Sequence, residues 1–213
     1  MRIGFMGGSY NPPHTGHLNA ARVFYEQQKL DKLLIIPAKV SPFKTDKKCD
    51  ASDEQRLEMC KKCFSTLQDD LGYNIEVSTI ELDSDSISYT YLTIRTLLAL
   101  YEGHELIMYV GSDMFFTLDK WKNPDEIFSS CKIYTICRDV GQMSDMLKAK
   151  DKYCKLFNAN IVISNEKEVI VSSTDVRKEI YLKNYSNCEK LLTDEVLRYI
   201  IINRLYFQEN HEE

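Results

Sequence analysis

Two rhythms of apolar residues alternate along the chain. Short apolar runs predict strands, and between them lie longer stretches whose apolar positions return every three or four residues, as on one face of a helix. Arg2 to Met6 is the first short run and ends at Gly7-Gly8. Lys32 to Pro37 (KLLIIP) is the second, and the helix-length stretch between them makes a βαβ unit. Ser52, with Gln55 three residues on, is a capping-box start, after which Leu57, Cys60, Phe64 and Leu67 follow at helical spacing. Ile75 and Val77 alternate with polar neighbours as a strand does. A helix is predicted from about Tyr89 to Tyr101, with Gly103 as its C-terminal cap. Glu105 to Val110 reads as the next strand and ends at Gly111-Ser112-Asp113. Asn123-Pro124-Asp125-Glu126 reads as a helix start, with Asn at the N-cap and Pro in the first turn. Cys131 to Cys137 and Ile161 to Ile163 give two more strands, and helices near Thr174 to Lys183 and Thr193 to Asn203 follow. The polar tail after Phe207 is expected to fray.

This order predicts an α/β protein: a doubly wound, mostly parallel sheet with helices on both faces. In such sheets ligands bind beyond the carboxyl ends of the strands. Neither an internal repeat nor a Gly, Ser or Pro-rich linker divides the chain, so residues 1–213 are read as a single domain with a small C-terminal helical portion from about 174.

Composition narrows the function classes. With 213 residues, 44% hydrophobic and 28% charged, the chain is neither disordered, collagen-like nor a disulfide-dense miniprotein. Lys and Arg number 27 against 32 for Asp and Glu, and the formal net charge of −5 argues against a nucleic-acid partner. A polyanionic ligand would have to be held locally. The apolar runs are too short to span a bilayer, so no membrane partner is expected. Seven cysteines, an odd number, and an N-terminus that opens into strand-like sequence predict reduced thiols in the cytoplasm.

Two clusters could do chemistry. The first is Gly7-Gly8-Ser9-Tyr10-Asn11-Pro12-Pro13-His14-Thr15-Gly16-His17, between the first strand and the first helix. Two glycines are expected to let the backbone turn sharply and aim N–H groups at an anion, while the helix N-terminus adds partial positive charge. His14 and His17, three apart, would project from one side of the first turn. A zinc reading is weaker, because no third ligand of suitable type lies nearby. The second cluster is Val171-Ser172-Ser173-Thr174-Asp175-Val176-Arg177. Ser172 or Ser173 would cap a helix, Thr174 adds a hydroxyl, and Arg177, one turn along, brings a fork matched to phosphate oxygens.

His14-Thr15-Gly16-His17 after a Gly-Gly pair resembles the His-x-Gly-His signature of nucleotidyltransferases with a Rossmann-like core, and Val171 to Arg177 resembles their second signature, Ile-Ser-Ser-Thr-x-Ile-Arg. Within that superfamily the resemblance narrows to the bacterial nicotinate-nucleotide adenylyltransferases and covers nearly the whole chain. Pro42-Phe43-Lys44 resembles that family's Pro-His-Lys segment, and Arg56 and Met59 follow at its usual distance. Ser88-Tyr89-Thr90 resembles the Ser-Tyr-Thr of the pyridine-nucleotide pocket, Gly111-Ser112-Asp113 the Gly-x-Asp segment, and Leu118 to Ile127 the Leu-x-x-Trp-x-x-x-x-Glu-Ile pattern with Trp121. Asn11, where Asp is frequent, and Phe43, where His is usual, depart from the pattern.

The resemblance implies transfer of AMP from ATP to nicotinate mononucleotide, giving deamido-NAD and pyrophosphate, with Mg²⁺ bridging the phosphates and held mainly by them rather than by protein ligands. It implies catalytic roles for His14, His17, Lys44 and Arg177. ATP would contact Gly7, Gly8, Ser9, His14, His17, Gly111, Asp113, Ser172, Ser173, Thr174 and Arg177. Nicotinate mononucleotide would contact Asn11, Lys44, Tyr89, Thr90, Trp121 and Arg138, with Trp121 stacked on the pyridine ring. An imidazole with an ordinary pKa of about 6.5 would gain charge readily beside phosphate. A monomer or homodimer is expected. The rivals are pantetheine-phosphate adenylyltransferase or a cytidylyltransferase, which share both signatures, and a nucleotide-binding protein without catalysis.

Overall fold

A parallel sheet between two helical layers needs strands that are apolar on both faces, and these strands are. The computed structural model describes residues 1–39, 51–84, 87–137, 140–166 and 169–207. Six strands, β1 (Arg2–Gly8), β2 (Lys32–Pro37), β3 (Ile75–Val77), β4 (Glu105–Tyr109), β5 (Lys132–Ile136) and β6 (Ile161–Ser164), pair in the order β3-β2-β1-β4-β5-β6. Every pairing is parallel, where the sequence predicted a mostly parallel sheet.

β1 lies at the centre, with Phe5 beside Leu34 of β2 and Met108 of β4. The chain winds outward from β1 to β3, returns to the centre at β4 and winds out the other way to β6. The strand order therefore reverses between β1 and β4, and a crevice opens there at the carboxyl ends.

Alternate strand residues feed two cores. Met6, Leu33, Ile35, Ile107 and Tyr134 pack with α1 (Thr15–Gln28), α2 (Asp53–Leu71), α7 (Ser173–Tyr181), α8 (Tyr185–Leu191) and α9 (Asp194–Ile202). Phe5, Leu34, Ile36, Met108 and Ile133 pack with α3 (Thr90–Leu100), the one-turn α4 (Ser112–Phe115), α5 (Pro124–Ser130) and α6 (Met143–Phe157). Cys60 and Cys63 are buried on the apolar face of α2, and no two described cysteines are bridged.

The capping box at Ser52 forms as the sequence predicts, with Gln55 N–H donating to Ser52 Oγ at 3.2 Å and Ser52 N–H to Gln55 Oε1 at 2.8 Å. Two caps differ. Asn123 precedes α5 but takes a left-handed conformation (φ 54°) instead of the extended one of a capping residue, and makes no side-chain cap. Gly103 (φ 75°) serves the turn into β4, while α3 closes at Tyr101. α6 and α8 have no counterpart among the predicted elements. Of their residues Met146 and Tyr153 in α6 and Cys188 in α8 are fully buried, and Met143 and Phe157 of α6 pack beside them. The tail predicted to fray lies outside the described residues beyond Phe207.

Between β3 and α3, Glu81 accepts a hydrogen bond from Thr93 Oγ1 at 2.7 Å and another from Ser88. Desolvation by burial pushes its carboxyl above the ordinary carboxylate range, and the two hydroxyl donors oppose that only in part.

Gly4, in the middle of β1, is required for packing. A Cβ there would stand 2.3 Å from Leu30 Cδ1 and 2.9 Å from Phe24 Cε1, and the Phe24 ring is itself stacked on Tyr134. Gly4→Ala is expected to cost about 1–3 kcal/mol by overpacking, read as a lowered denaturant midpoint with unchanged slope. Glu81→Gln tests the buried carboxyl. A raised folded-state pKa contributes stability below the unfolded value and loses it as pH rises, so the Gln variant gains Tm over the native chain on going from pH 4 to pH 7. A difference in Tm that is constant over that range would contradict it.

Candidate active site

The loop leaving β1 turns by a different device from the one its glycines suggest. Neither Gly7 nor Gly8 takes a positive φ; both finish β1 in the extended ladder, and the left-handed turn falls on Tyr10 (φ 45°). The glycines supply space instead. A Cβ on Gly8 would come within 3.2 Å of the Tyr10 ring, and nothing lies within 4 Å of one on Gly7, which leaves the strand end open. Tyr10 is buried, donates its hydroxyl to Met6 O at 2.9 Å and meets His17 edge-on with ring centroids 5.0 Å apart. Burial pushes its phenol well above the usual value, so it is a neutral floor under the histidine. The Asn11–Pro12 peptide bond is cis.

His14 is the N-cap of α1 and His17 its third residue, and together they form a reciprocal capping box. His17 N–H donates to His14 Nδ1 at 3.4 Å, and His14 N–H donates to His17 Nδ1 at 3.3 Å. The rings stack with centroids 3.7 Å apart. Each Nδ1 faces a backbone donor and must accept, so each imidazole keeps its proton on Nε2. A proton on Nδ1 would set donor against donor across this cap. These are Nε2–H donors held in register. Gly16, between them, allows a close approach, since a Cβ there would lie 2.8 Å from Val169 O and 3.0 Å from His14 Nδ1.

Distant elements grip the loop's oxygens. Arg56 of α2 donates from Nη1 to Ser9 O at 2.7 Å, Arg177 of α7 donates from Nη1 to Asn11 O at 2.8 Å, and Ser173 donates from Oγ to Pro12 O at 2.9 Å. Tyr206 donates its hydroxyl to Asn11 Oδ1 at 2.7 Å. The second sequence cluster is thus docked on the first. Ser172 is the cap of α7 and accepts from Asp175 N–H at 3.0 Å, while Arg177 Nη2 donates to Thr174 Oγ1 at 3.1 Å. Sequence reading singled out Arg56 without assigning it a role and passed over Tyr206. Arg56 could have been found: it shares helical spacing with Cys60, Cys63 and Leu67, so it interrupts the buried stripe of α2 with a charge.

A second group of residues forms beside the first. Tyr89 and Thr90 open α3 and are half-buried, and Lys122 Nζ stands 4.6 Å from the centroid of the Tyr89 ring. Arg95 of α3 and Glu126 of α5 form a two-pronged ion pair at 2.5 and 2.9 Å that ties the two segments together. Trp121, half-buried, donates Nε1–H to Thr117 Oγ1 at 3.4 Å. Its turn is fixed by Asp119, which pairs with Lys152 at 2.5 Å and accepts from Tyr153; the Lys152 hydrogen bond holds the Asp119 carboxyl below the usual range. The segment after β2 joins the groups, with Ala38 N–H donating to Gly8 O at 2.9 Å and Lys39 N–H to Ser88 Oγ at 3.1 Å. Gly111 caps α4 beyond β4, with Asp113 exposed in its first turn. Lys44 and Arg138 lie outside the described residues, as does Phe43.

Among the described residues no three His, Cys, Asp or Glu side chains gather into a set that could hold a metal ion, and no helix is long and apolar enough to cross a membrane. Residues 5–179 match the model of the family described as cytidylyltransferase-like. The chain is 33% identical to a probable nicotinate-nucleotide adenylyltransferase of Clostridium novyi, over 90% of this chain and 92% of that one. It is 32% identical to one of Carboxydothermus hydrogenoformans, over 96% and 98%. Among solved structures it resembles the nicotinic acid mononucleotide adenylyltransferase of Plasmodium falciparum complexed with NaAD, at a TM-score of 0.76 and 18% identity over 98% of each chain, a likeness of fold. A Vibrio parahaemolyticus protein described as a putative nicotinate-nucleotide adenylyltransferase gives a TM-score of 0.64 at 17% identity. With both signatures docked at the crevice between β1 and β4, the chain belongs to the cytidylyltransferase-like family and, within it, to the nicotinate-nucleotide adenylyltransferases.

Proposed function

We propose that the chain transfers the adenylyl group of ATP to nicotinate mononucleotide, giving deamido-NAD and pyrophosphate, as a cytoplasmic step of NAD biosynthesis. The observation that carries this reading is the docking of α7 onto the loop before α1 through Arg177–Asn11 and Ser173–Pro12, which sets two capped helix starts beside the histidine pair. The aromatic group of Tyr89, Thr90 and Trp121, joined to it through Ala38 and Lys39, supports a pyridine nucleotide as the second substrate.

The chemistry asks no nucleophile of the protein. A phosphate oxygen of nicotinate mononucleotide attacks the α-phosphorus of ATP, the new P–O bond forms as the bond to the bridging oxygen breaks, and pyrophosphate leaves with that electron pair. Holding the two substrates in line can account for about 7–11 kcal/mol of barrier in favourable cases. His14 and His17 would donate Nε2–H to phosphate oxygens as charge builds on the leaving group, and Arg177 and Lys44 would hold outer oxygens. Gly7, Gly8, Ser9, Gly111, Asp113, Ser172, Ser173 and Thr174 would line the ATP side. Asn11, Tyr89, Thr90, Trp121 and Arg138 would line the other. Mg²⁺ favours phosphate oxygens and water with one or two carboxylates, and it would be held mainly by the triphosphate, with Asp113 standing near the metal-bound phosphates. When bound, it would neutralise phosphate charge.

Pyrophosphate release from ATP and Mg²⁺ tests the reading, with nicotinate mononucleotide, nicotinamide mononucleotide and phosphopantetheine supplied separately. Turnover with nicotinate mononucleotide is expected, and activity with phosphopantetheine alone, or with none, would overturn it. His17→Asn keeps an acceptor for the helix cap but removes the Nε2 donor. Its turnover should fall by roughly 10²–10³-fold while Tm stays close to that of the native chain. Near-native release from this variant would remove His17 from the chemistry.

A further inference from the structure

We infer that Tyr206 is a positioning residue of the site, acting through the side-chain amide of Asn11. The chain after α9 does not trail away. Leu205 N–H returns to Ile200 O at 3.0 Å and Arg204 N–H to Ile201 O at 3.2 Å, and both Arg204 (φ 52°) and Tyr206 (φ 64°) take left-handed conformations that residues with a Cβ adopt rarely. The result of that turn is specific. It buries Leu205 and Tyr206 in the core shared with Tyr10, Val176 and Ile180, and sets the Tyr206 hydroxyl 2.7 Å from Asn11 Oδ1.

The pair has one sense of direction. Oδ1 carries no hydrogen, so the phenol donates and the amide accepts. A carboxamide has an acceptor end and a donor end, and occupying the first decides which end the residue offers elsewhere. Asn11 then presents Nδ2, with two N–H groups, while its own carbonyl is held by Arg177. The opposite flip would offer an oxygen to an anion. Held in this sense by Tyr206, Asn11 offers a donor at position 11. The inference rests on the proposed placement of Asn11 against nicotinate mononucleotide.

Tyr206→Phe deletes the hydroxyl and keeps the ring. Its kcat/KM for nicotinate mononucleotide is expected to fall by roughly 3–10-fold, with KM for ATP and Tm little changed. In an Asn11→Ala background the same change should cost less than about twofold, because the group it orients is gone. A full loss in that background, equal losses for both substrates with a lowered Tm, or no loss in the native background would overturn the inference. A native chain inactive with nicotinate mononucleotide would instead fail the proposed reaction. The Asn11 side-chain amide signals in a ¹⁵N spectrum, assigned by their loss in Asn11→Ala, report the hydrogen bond without substrate. They should shift in Tyr206→Phe, and unshifted signals overturn the inference whatever the reaction proves to be.

Discussion

Backbone oxygens that point away from any ladder must still find donors, and the loop between β1 and α1 draws its donors from elsewhere in the chain. Ser9 O, Asn11 O and Pro12 O are served by Arg56, Arg177 and Ser173, and Asn11 Oδ1 by Tyr206. Leaving one of these backbone oxygens unserved costs up to about 1–3 kcal/mol, so the loop takes its shape only when α2 and α7 are in place, while Tyr206 adds a contact to the Asn11 side chain. The consequence is a site finished by the last third of the chain. The C-terminal helices also complete the core on the α1 and α2 face, which makes stability and site geometry one problem.

Much of this was legible in the sequence because the relevant signals are local. Strands β1, β2 and β4 announce themselves as apolar runs, the Ser52 box needs only a four-residue window, and the two signatures sit on helix starts that their own Ser and His residues cap. What was not legible depended on tertiary context. Gly7 and Gly8 look like a turn but finish a strand, since the turn passed to Tyr10 once its ring found the space over Gly8. The reciprocal cap between His14 and His17 depends on two backbone N–H groups that only the folded first turn brings into range. α6, by contrast, carried a readable stripe that was passed over: Met143, Met146, Tyr153 and Phe157 stand at helical spacing against the core. Tyr206 hid for a plainer reason: its partner is 195 residues away.

The same geometry reconciles a net charge of −5 with a polyanionic substrate pair. Arg56 is wholly buried, paired with Asp53 at 2.6 Å, and among the described residues its Nε finds no acceptor. Burying a guanidinium in that state is costly, and a stability argument alone would not retain it. Its Nη1 contact with Ser9 O gives the reason: the guanidinium, held by Asp53, is fixed behind the loop as a hydrogen-bond donor to its backbone. Fixed donors need no reorganisation when charge moves in a reaction, whereas mobile surface cations must first be ordered. An acidic chain can thus serve two anions with few positive groups, provided those groups are immobilised by the fold, as Arg56, Arg177 and the paired imidazole N–H groups are.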